Sequence, residues 1–228
     1  MSLQKITHVI FDMDGLLIES ESIYNRILTE ITAEYGKIFD LNIRLKILGT
    51  PEPDTARILI EELKLPLTID EFLKVYRART AEQLTNPQLM PGAERLVQHL
   101  HKHKIPIAVA TSSSHDSVKI KTQNHVKLFS LFHHIVCGST DPEVKQGKPA
   151  PDIFLVCASR FSDKPDPFQC LVLEDAPNGV TGARAAGMQA VLVPNEEVGE
   201  EMKKSASLVV NSLLEFKPEL FGLPPFSE

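Results

Sequence analysis

Asp12 and Asp14 stand two residues apart in the run Val9-Ile10-Phe11-Asp12-Met13-Asp14-Gly15-Leu16, at the end of a short apolar stretch and just before a glycine. A strand that stops at such a pair delivers both carboxylates to the C-terminal rim of a sheet, where open α/β folds keep their ligands. Like charges so close repel and raise each other's pKa, so the pair is unfavourable unless a cation or a proton transfer makes use of it. Asp also makes ordinary turns after strands. The acid-x-acid-glycine pattern is only moderately specific alone, and three further groups at the ends of apolar runs decide against the plain turn.

The first is Thr111-Ser112-Ser113-Ser114, which follows Ile107-Ala108-Val109-Ala110. Hydroxyls with free backbone N–H groups at a helix start can hold an anion, and they serve equally as a simple helix cap. The second is Lys148 in Gly147-Lys148-Pro149-Ala150-Pro151-Asp152, a rigid proline-rich loop at a helix entrance. Taken alone a lysine is more often a surface charge, but a held ammonium suits a phosphate or a carboxylate. The third is Glu174-Asp175 after Leu171-Val172-Leu173, which repeats the strand-then-acids arrangement. Carboxylates from two strands could bracket one hard cation, and an oxygen-rich site with few protein ligands favours Mg²⁺. The alternative, that these acids and Asn178 cap a helix starting near Pro177, holds in part for Asn178.

Elements able to position these groups are visible in the patterning. Short Val- and Ile-rich runs at 8–11, 106–110, 134–137, 170–173, 190–193 and 208–210 are too short for helices and predict buried strands of a mostly parallel sheet. Between them, Ala93, Leu96, Val97 and Leu100 share one helical face, as do Phe154, Cys157, Ala158 and Phe161. Strand alternating with helix implies an α/β, doubly wound, Rossmann-like core. From about residue 20 to 87 the alternation stops. Ile23, Ile27 and Ile31 recur every fourth residue, and 54–63 and 68–84 are also helix-like. We read residues 20–87 as a small helical cap domain inserted after the first strand, and residues 1–19 and 88–228 as the core domain, with Pro87 and Pro91-Gly92 marking the return.

Composition narrows the class. The 228 residues are 43% hydrophobic, enough for a sizeable core, and the net charge of −6 comes without any dense Lys/Arg block. A nucleic-acid or anionic-membrane surface is therefore not expected. Cys137, Cys157 and Cys170 are odd in number, widely spaced and set among apolar residues, which suggests buried thiols in a reducing compartment. No stretch has the form of a secretion signal or approaches the roughly 18 apolar residues of a membrane span. A cytoplasmic monomer is expected.

Taken together, acid-x-acid, Thr/Ser, Lys and acid-acid at successive strand ends resemble the four signature motifs of the haloacid dehalogenase-like superfamily. Phe-Asp-Met-Asp-Gly-Leu-Leu from residue 11, Lys-Pro-Ala-Pro-Asp-Ile-Phe at 148–154 and Glu-Asp-Ala-Pro-Asn-Gly at 174–179 are similar to its β-phosphoglucomutase-like group. The ending Pro218-Glu219-Leu220-Phe221-Gly222-Leu223-Pro224 resembles a eukaryotic branch acting on pseudouridine 5′-phosphate. The resemblance implies a Mg²⁺-dependent phosphatase of small phosphomonoesters, with a sugar phosphomutase as the rival and a non-catalytic binding protein further behind.

The same resemblance implies roles. Asp12 would be the nucleophile, forming an aspartyl-phosphate. Asp14 would protonate the leaving group and then deprotonate water, and that dual role implies a pKa above the usual Asp value. Asp12, the carbonyl oxygen of Asp14 and Asp175 would hold Mg²⁺, with Glu174 direct or through water, while Thr111, Ser112 and Lys148 grip the phosphoryl oxygens. Two departures stand out. Glu19 replaces the usual Asp, a mild change because this acid supports the loop. In the cap, relatives often carry a Lys or Arg near the glycine matching Gly49, whereas Thr50-Pro51-Glu52-Pro53-Asp54 follows here. Gly49, Thr50 and Glu52 are thus the expected specificity residues, with Glu52 and Asp54 repelling a second phosphate. His99, His101 and His103 alternate in a helix and are expected on a solvated face, and His115 is expected merely to start a helix.

Overall fold

The computed structural model describes residues 5–47, 50–194 and 198–226. In chain order the elements are β1 (His8–Phe11), α1 (Glu21–Ala33), α2 (Leu41–Ile47), α3 (Glu52–Leu63), α4 (Ile69–Gln83), α5 (Ala93–Lys102), β2 (Ile107–Thr111) and α6 (His115–Thr122). They continue with α7 (Val126–Phe129), β3 (Ile135–Cys137), α8 (Asp152–Ser159), β4 (Cys170–Glu174), α9 (Pro177–Ala185), β5 (Gln189–Leu192), α10 (Glu200–Lys203) and β6 (Leu208–Val209). The six strands form one parallel sheet in the order β3-β2-β1-β4-β5-β6. The fold is thus a doubly wound, Rossmann-like α/β core carrying a helical insertion after β1.

Each central strand is apolar on both faces because both are covered. Val9, Phe11, Ile107, Val109, Leu171 and Leu173 belong to one core layer, while Ile10, Ala108, Ala110, Cys170, Val172 and Ala190 belong to the other. This two-sided burial is why the strands show as continuous apolar runs. It also accounts for the three cysteines, which are free and buried.

The insertion has a core of its own. Ile27, Leu28 and Ile31 of α1 pack with Ala56 and Leu59 of α3 and with Phe72, Leu73 and Tyr76 of α4. A reciprocal capping box between Thr68 and Glu71 starts α4. Helix α2 is an addition to the sequence-based expectation. It spans seven residues with only Ile43 buried, so it shows no apolar periodicity to read.

Insertion and core are joined by two adjacent segments. Met90 N–H donates to the Leu17 carbonyl at 2.9 Å and Glu19 N–H to the Gln88 carbonyl at 2.7 Å. Glu19 itself accepts from the Ser22 backbone at 3.0 Å, supporting the start of α1. No helix among the described residues is long and apolar enough to cross a membrane.

Candidate active site

The parallel register brings the acids together. Phe11 of β1 is paired with Leu173 of β4, and Asp12 N–H donates to the Leu173 carbonyl at 2.9 Å, so Asp12 leaves its strand beside Glu174. Asp12, Glu174 and Asp175 are buried, and one oxygen of each lies within 4.8 Å of the others. Lys148 is buried among them: its Nζ donates to Asp12 Oδ1 at 2.6 Å, to Glu174 Oε1 at 2.5 Å and to the Ala110 carbonyl at 3.1 Å. Two glycines make room. A Cβ at Gly15, where φ is +78°, would overlap the Asp175 carboxylate, and a Cβ at Gly179 would overlap that of Glu174.

Burial and crowding set the protonation states. Burial pushes Asp12 up to about 7; Lys148 opposes this, and Glu174 and Asp14 add to it. Asp175 is driven well above the usual carboxylate range by burial, then by Asp12 and Glu174. Burial alone would pull the Lys148 ammonium down, but Asp12 and Glu174 outweigh it and hold it above the ordinary lysine range. Three carboxylates share one ammonium. Even at an effective dielectric of 20, two unit charges 4 Å apart interact by about 4 kcal/mol, so the cluster is short of positive charge. An all-oxygen, buried, electron-rich set of this kind fits a hard divalent cation such as Mg²⁺.

Asp14 takes a different course. Its carboxylate is gripped by Lys121, whose Nζ lies 2.8 Å from Oδ1 and 2.7 Å from Oδ2, and it accepts from Ser20 Oγ at 2.7 Å and Ser113 Oγ at 2.9 Å. Burial pushes its pKa up, but Lys121 and the two serines outweigh burial and hold it below the usual Asp value. This corrects the expectation of a raised pKa, which took no account of a buried lysine 107 residues away in sequence. Thr111 is buried, its Oγ1 receiving Ser113 N–H at 3.1 Å and lying 3.5 Å from Asp14 Oδ2. Ser112 lines the same cleft.

The haloacid dehalogenase-like hydrolase family matches residues 6–187. A "Probable pseudouridine-5'-phosphatase" of Drosophila melanogaster is 50% identical over 226 residues, with 99% of this chain and 98% of that one aligned. The chain belongs to the haloacid dehalogenase-like hydrolase family. The "(DL)-glycerol-3-phosphatase 2" of Arabidopsis thaliana is 46% identical over 226 residues, covering 98% of this chain and 94% of the relative. In fold, the crystal structure of a β-phosphoglucomutase from Clostridium difficile matches with a TM-score of 0.74 over 94% of each chain, at 22% identity. With whole-length phosphatase relatives at 46–50% identity, the chain is a phosphatase of that family.

The helical insertion supplies the other wall of this hydrolase's cleft, through Glu21, Tyr24, Asn25, Arg44, Glu52 and Tyr76. Thr50 also lines it, its Oγ1 donating to the Ile47 carbonyl at 2.8 Å. Gly49 lies outside the described residues. Glu52 is not a free anion, because Arg77 Nε donates to its Oε2 at 2.8 Å. Asp54 pairs instead with Arg57 at 3.1 Å, both exposed, and is not part of the cleft wall. Arg44 brings a guanidinium to the cleft five residues before Gly49, a position the sequence reading passed over because α2 itself was not legible. Lys121, Ser113 and Ser20 were also missed. The available signal was Lys121 occupying an inward position one turn after Val118. His99 Nε2 meets the Pro224 carbonyl at 2.8 Å and packs on Phe226, so it anchors the C-terminal segment; His115 is exposed at the start of α6.

Proposed function

We propose that this phosphatase hydrolyses a small phosphomonoester through an aspartyl-phosphate on Asp12, with pseudouridine 5′-phosphate as first candidate and glycerol phosphate as second. The observation that carries this reading is the meeting of Asp12, Glu174 and Asp175 from two strand ends with Lys148 from the loop before α8, and with Asp14 two residues from Asp12 under the helical insertion. In this reading residues 1–19 and 88–228 carry the chemistry and residues 20–87 act as a cap that selects the leaving group. The free buried thiols support a reducing, cytoplasmic compartment.

Asp12 attacks phosphorus in line and the bond to the leaving oxygen breaks. Lys148, held between Asp12 and Glu174, is placed to draw the phosphoryl oxygens toward the nucleophile, with Thr111 and Ser112 donating beside it. Asp14 gives its proton to the departing alkoxide and then takes one from the water that attacks the aspartyl-phosphate. Its pairing with Lys121 suits the second task, and an arriving phosphate dianion raises its pKa toward the first. Asp12, Glu174 and Asp175, with the Asp14 carbonyl, would hold Mg²⁺, which supplies charge neutralisation when bound.

Turnover of a panel of phosphorylated metabolites, with and without a chelator, tests the reading. The expected result is Mg²⁺-dependent phosphate release with highest kcat/KM on a nucleoside or polyol monophosphate. Full activity after chelation, or transfer between a hexose 1-phosphate and its bisphosphate in place of phosphate release, overturns it.

A further inference from the structure

Lys121 has no part in the chemistry assigned to Asp12, Lys148 and the acidic cluster, yet its side chain is completely buried. It lies on the inward face of α6, where Val118 is its buried neighbour one turn earlier. Burying an ammonium at such a position is unfavourable unless polar partners replace its water. Every partner is a cleft residue. Nζ donates to both carboxylate oxygens of Asp14, at 2.8 and 2.7 Å, to Ser113 Oγ at 2.6 Å and to Tyr24 Oη at 3.1 Å. Tyr24 belongs to α1 of the insertion, so one ammonium ties together the loop after β1, the hydroxyl cluster after β2 and the helical wall.

That arrangement adds to what the serines supply. Ser20 and Ser113 each donate one neutral hydrogen bond, to Oδ1 and Oδ2 respectively, and Ser113 is itself held by Lys121. A charge-assisted grip on both oxygens fixes the plane, and Lys121 is itself immobilised by Ser113 and Tyr24. Asp14 retains 18% side-chain exposure toward the cleft, so the aimed carboxyl remains accessible to a bound ester.

We propose that Lys121 is the positioning residue for Asp14, orienting its carboxyl toward the leaving-group oxygen at the boundary between core and helical insertion. The inference rests on Asp14 acting as the proton donor in the proposed phosphatase reaction.

The test compares leaving groups. kcat/KM reports the reaction through leaving-group departure, so it is measured for glycerol 3-phosphate, whose alkoxide needs a proton, and for p-nitrophenyl phosphate, whose leaving group does not. Lys121→Met is expected to lower kcat/KM at least about tenfold for the alkyl ester and less than about threefold for the aryl ester. In an Asp14→Asn background it is expected to change the alkyl rate by less than about twofold, because the group it positions is already disabled. Equal losses for the two esters, with Asp14→Asn still selective for the alkyl ester, overturn the positioning role alone. Asp14→Asn with wild-type activity on the alkyl ester overturns the proton-donor reading and this inference with it. Should Lys121→Met not fold, Tyr24→Phe is the second variant. Its alkyl-to-aryl ratio is expected to fall about two- to fivefold, and an unchanged ratio counts against the proposal.

Discussion

The rim of the sheet and the helical wall above it face one cleft, but they hold their charges in different ways. On the rim, Asp12, Glu174, Asp175 and Lys148 are all buried; Lys148 locks Asp12 and Glu174 at 2.6 and 2.5 Å, and Asp175 lies within 4.8 Å of both acids. On the helical wall, Glu52 is paired with Arg77, whose side chain is 61% exposed. A buried charge that loses its partner is left unpaired in a poor solvent, whereas an exposed pair is worth little and water replaces either member. Single changes on the rim therefore disturb the cluster that holds nucleophile, ammonium and metal site together, which suits a fixed reaction step. The wall can be altered residue by residue and suits the choice of leaving group.

The sharpest way to break this contrast is at Asp12. Asp12→Asn keeps the shape but cannot attack phosphorus, and activity is expected to fall to below about a hundredth of wild type. Phosphate release assays on the purified variant, with its thermal unfolding unchanged or raised, check this. Residual activity above a tenth or so of wild type ends the nucleophile assignment.

Asp175→Asn probes the charge imbalance. Turnover is expected to drop by roughly a hundredfold through weakened metal binding. The metal-free variant, however, is expected to be more stable than metal-free wild type, because a carboxyl whose pKa is pushed well up is opposed to its own ionisation in the folded state. At pH 7.5 a rise in Tm of roughly 2–6 °C is expected in the presence of a chelator. A fall in Tm contradicts the account of a cluster short of positive charge.

The same imbalance has a pH signature. Asp12, raised to about 7, keeps its proton in the folded protein at pH values where the unfolded chain has already released it. Metal-free stability is thus expected to decrease as pH climbs from the ordinary carboxylate range through about 7, with Asp175, also pushed up, acting in the same sense. Asp14, with its lowered pKa, acts in the opposite sense and only at more acid pH, where its pairing with Lys121 is lost. Because Mg²⁺ must displace the protons on the cluster, the Tm gain from added Mg²⁺ is expected to grow between pH 5 and about 7.5. Thermal unfolding with and without Mg²⁺ across that range reads it out, and a gain independent of pH removes the basis for the raised Asp12.

How much of this was legible before the structure divides along the same line. The strand ends were readable because strands buried on both faces leave uninterrupted apolar runs, and a charged residue after such a run can only lie at the rim. Asp12, Glu174 and Asp175 follow from that. Asp14 looks like Asp12 in sequence, and nothing local shows that its carboxylate turns to Lys121. That contact depends on how α6 packs, which the periodicity of an eight-residue helix does not convey. On the helical wall only the charges that follow Gly49 along the chain were counted, so Arg44 on the unread helix before it was passed over, the Arg77 partner of Glu52 was not seen and Asp54 was placed in the cleft.

The smallest effect is expected on the wall, and it decides whether the contrast has consequences for substrate choice. Arg44 and Glu52 both line the cleft, but Glu52 is offset by Arg77, so the wall is less repulsive to a second phosphate than its acidic residues suggest. Glu52→Lys removes that pair and adds a cation facing the leaving group, while leaving every rim contact in place. The expected outcome is a reordering of substrates: kcat/KM for a hexose bisphosphate rises about three- to tenfold relative to pseudouridine 5′-phosphate, carried by KM, with kcat for p-nitrophenyl phosphate within about twofold of wild type. Arg44→Ala is expected to move the ranking the other way by a similar factor. If Glu52→Lys leaves the ranking untouched, or lowers kcat for every substrate alike, the wall takes part in the chemistry itself and the division between a fixed rim and an adjustable wall fails.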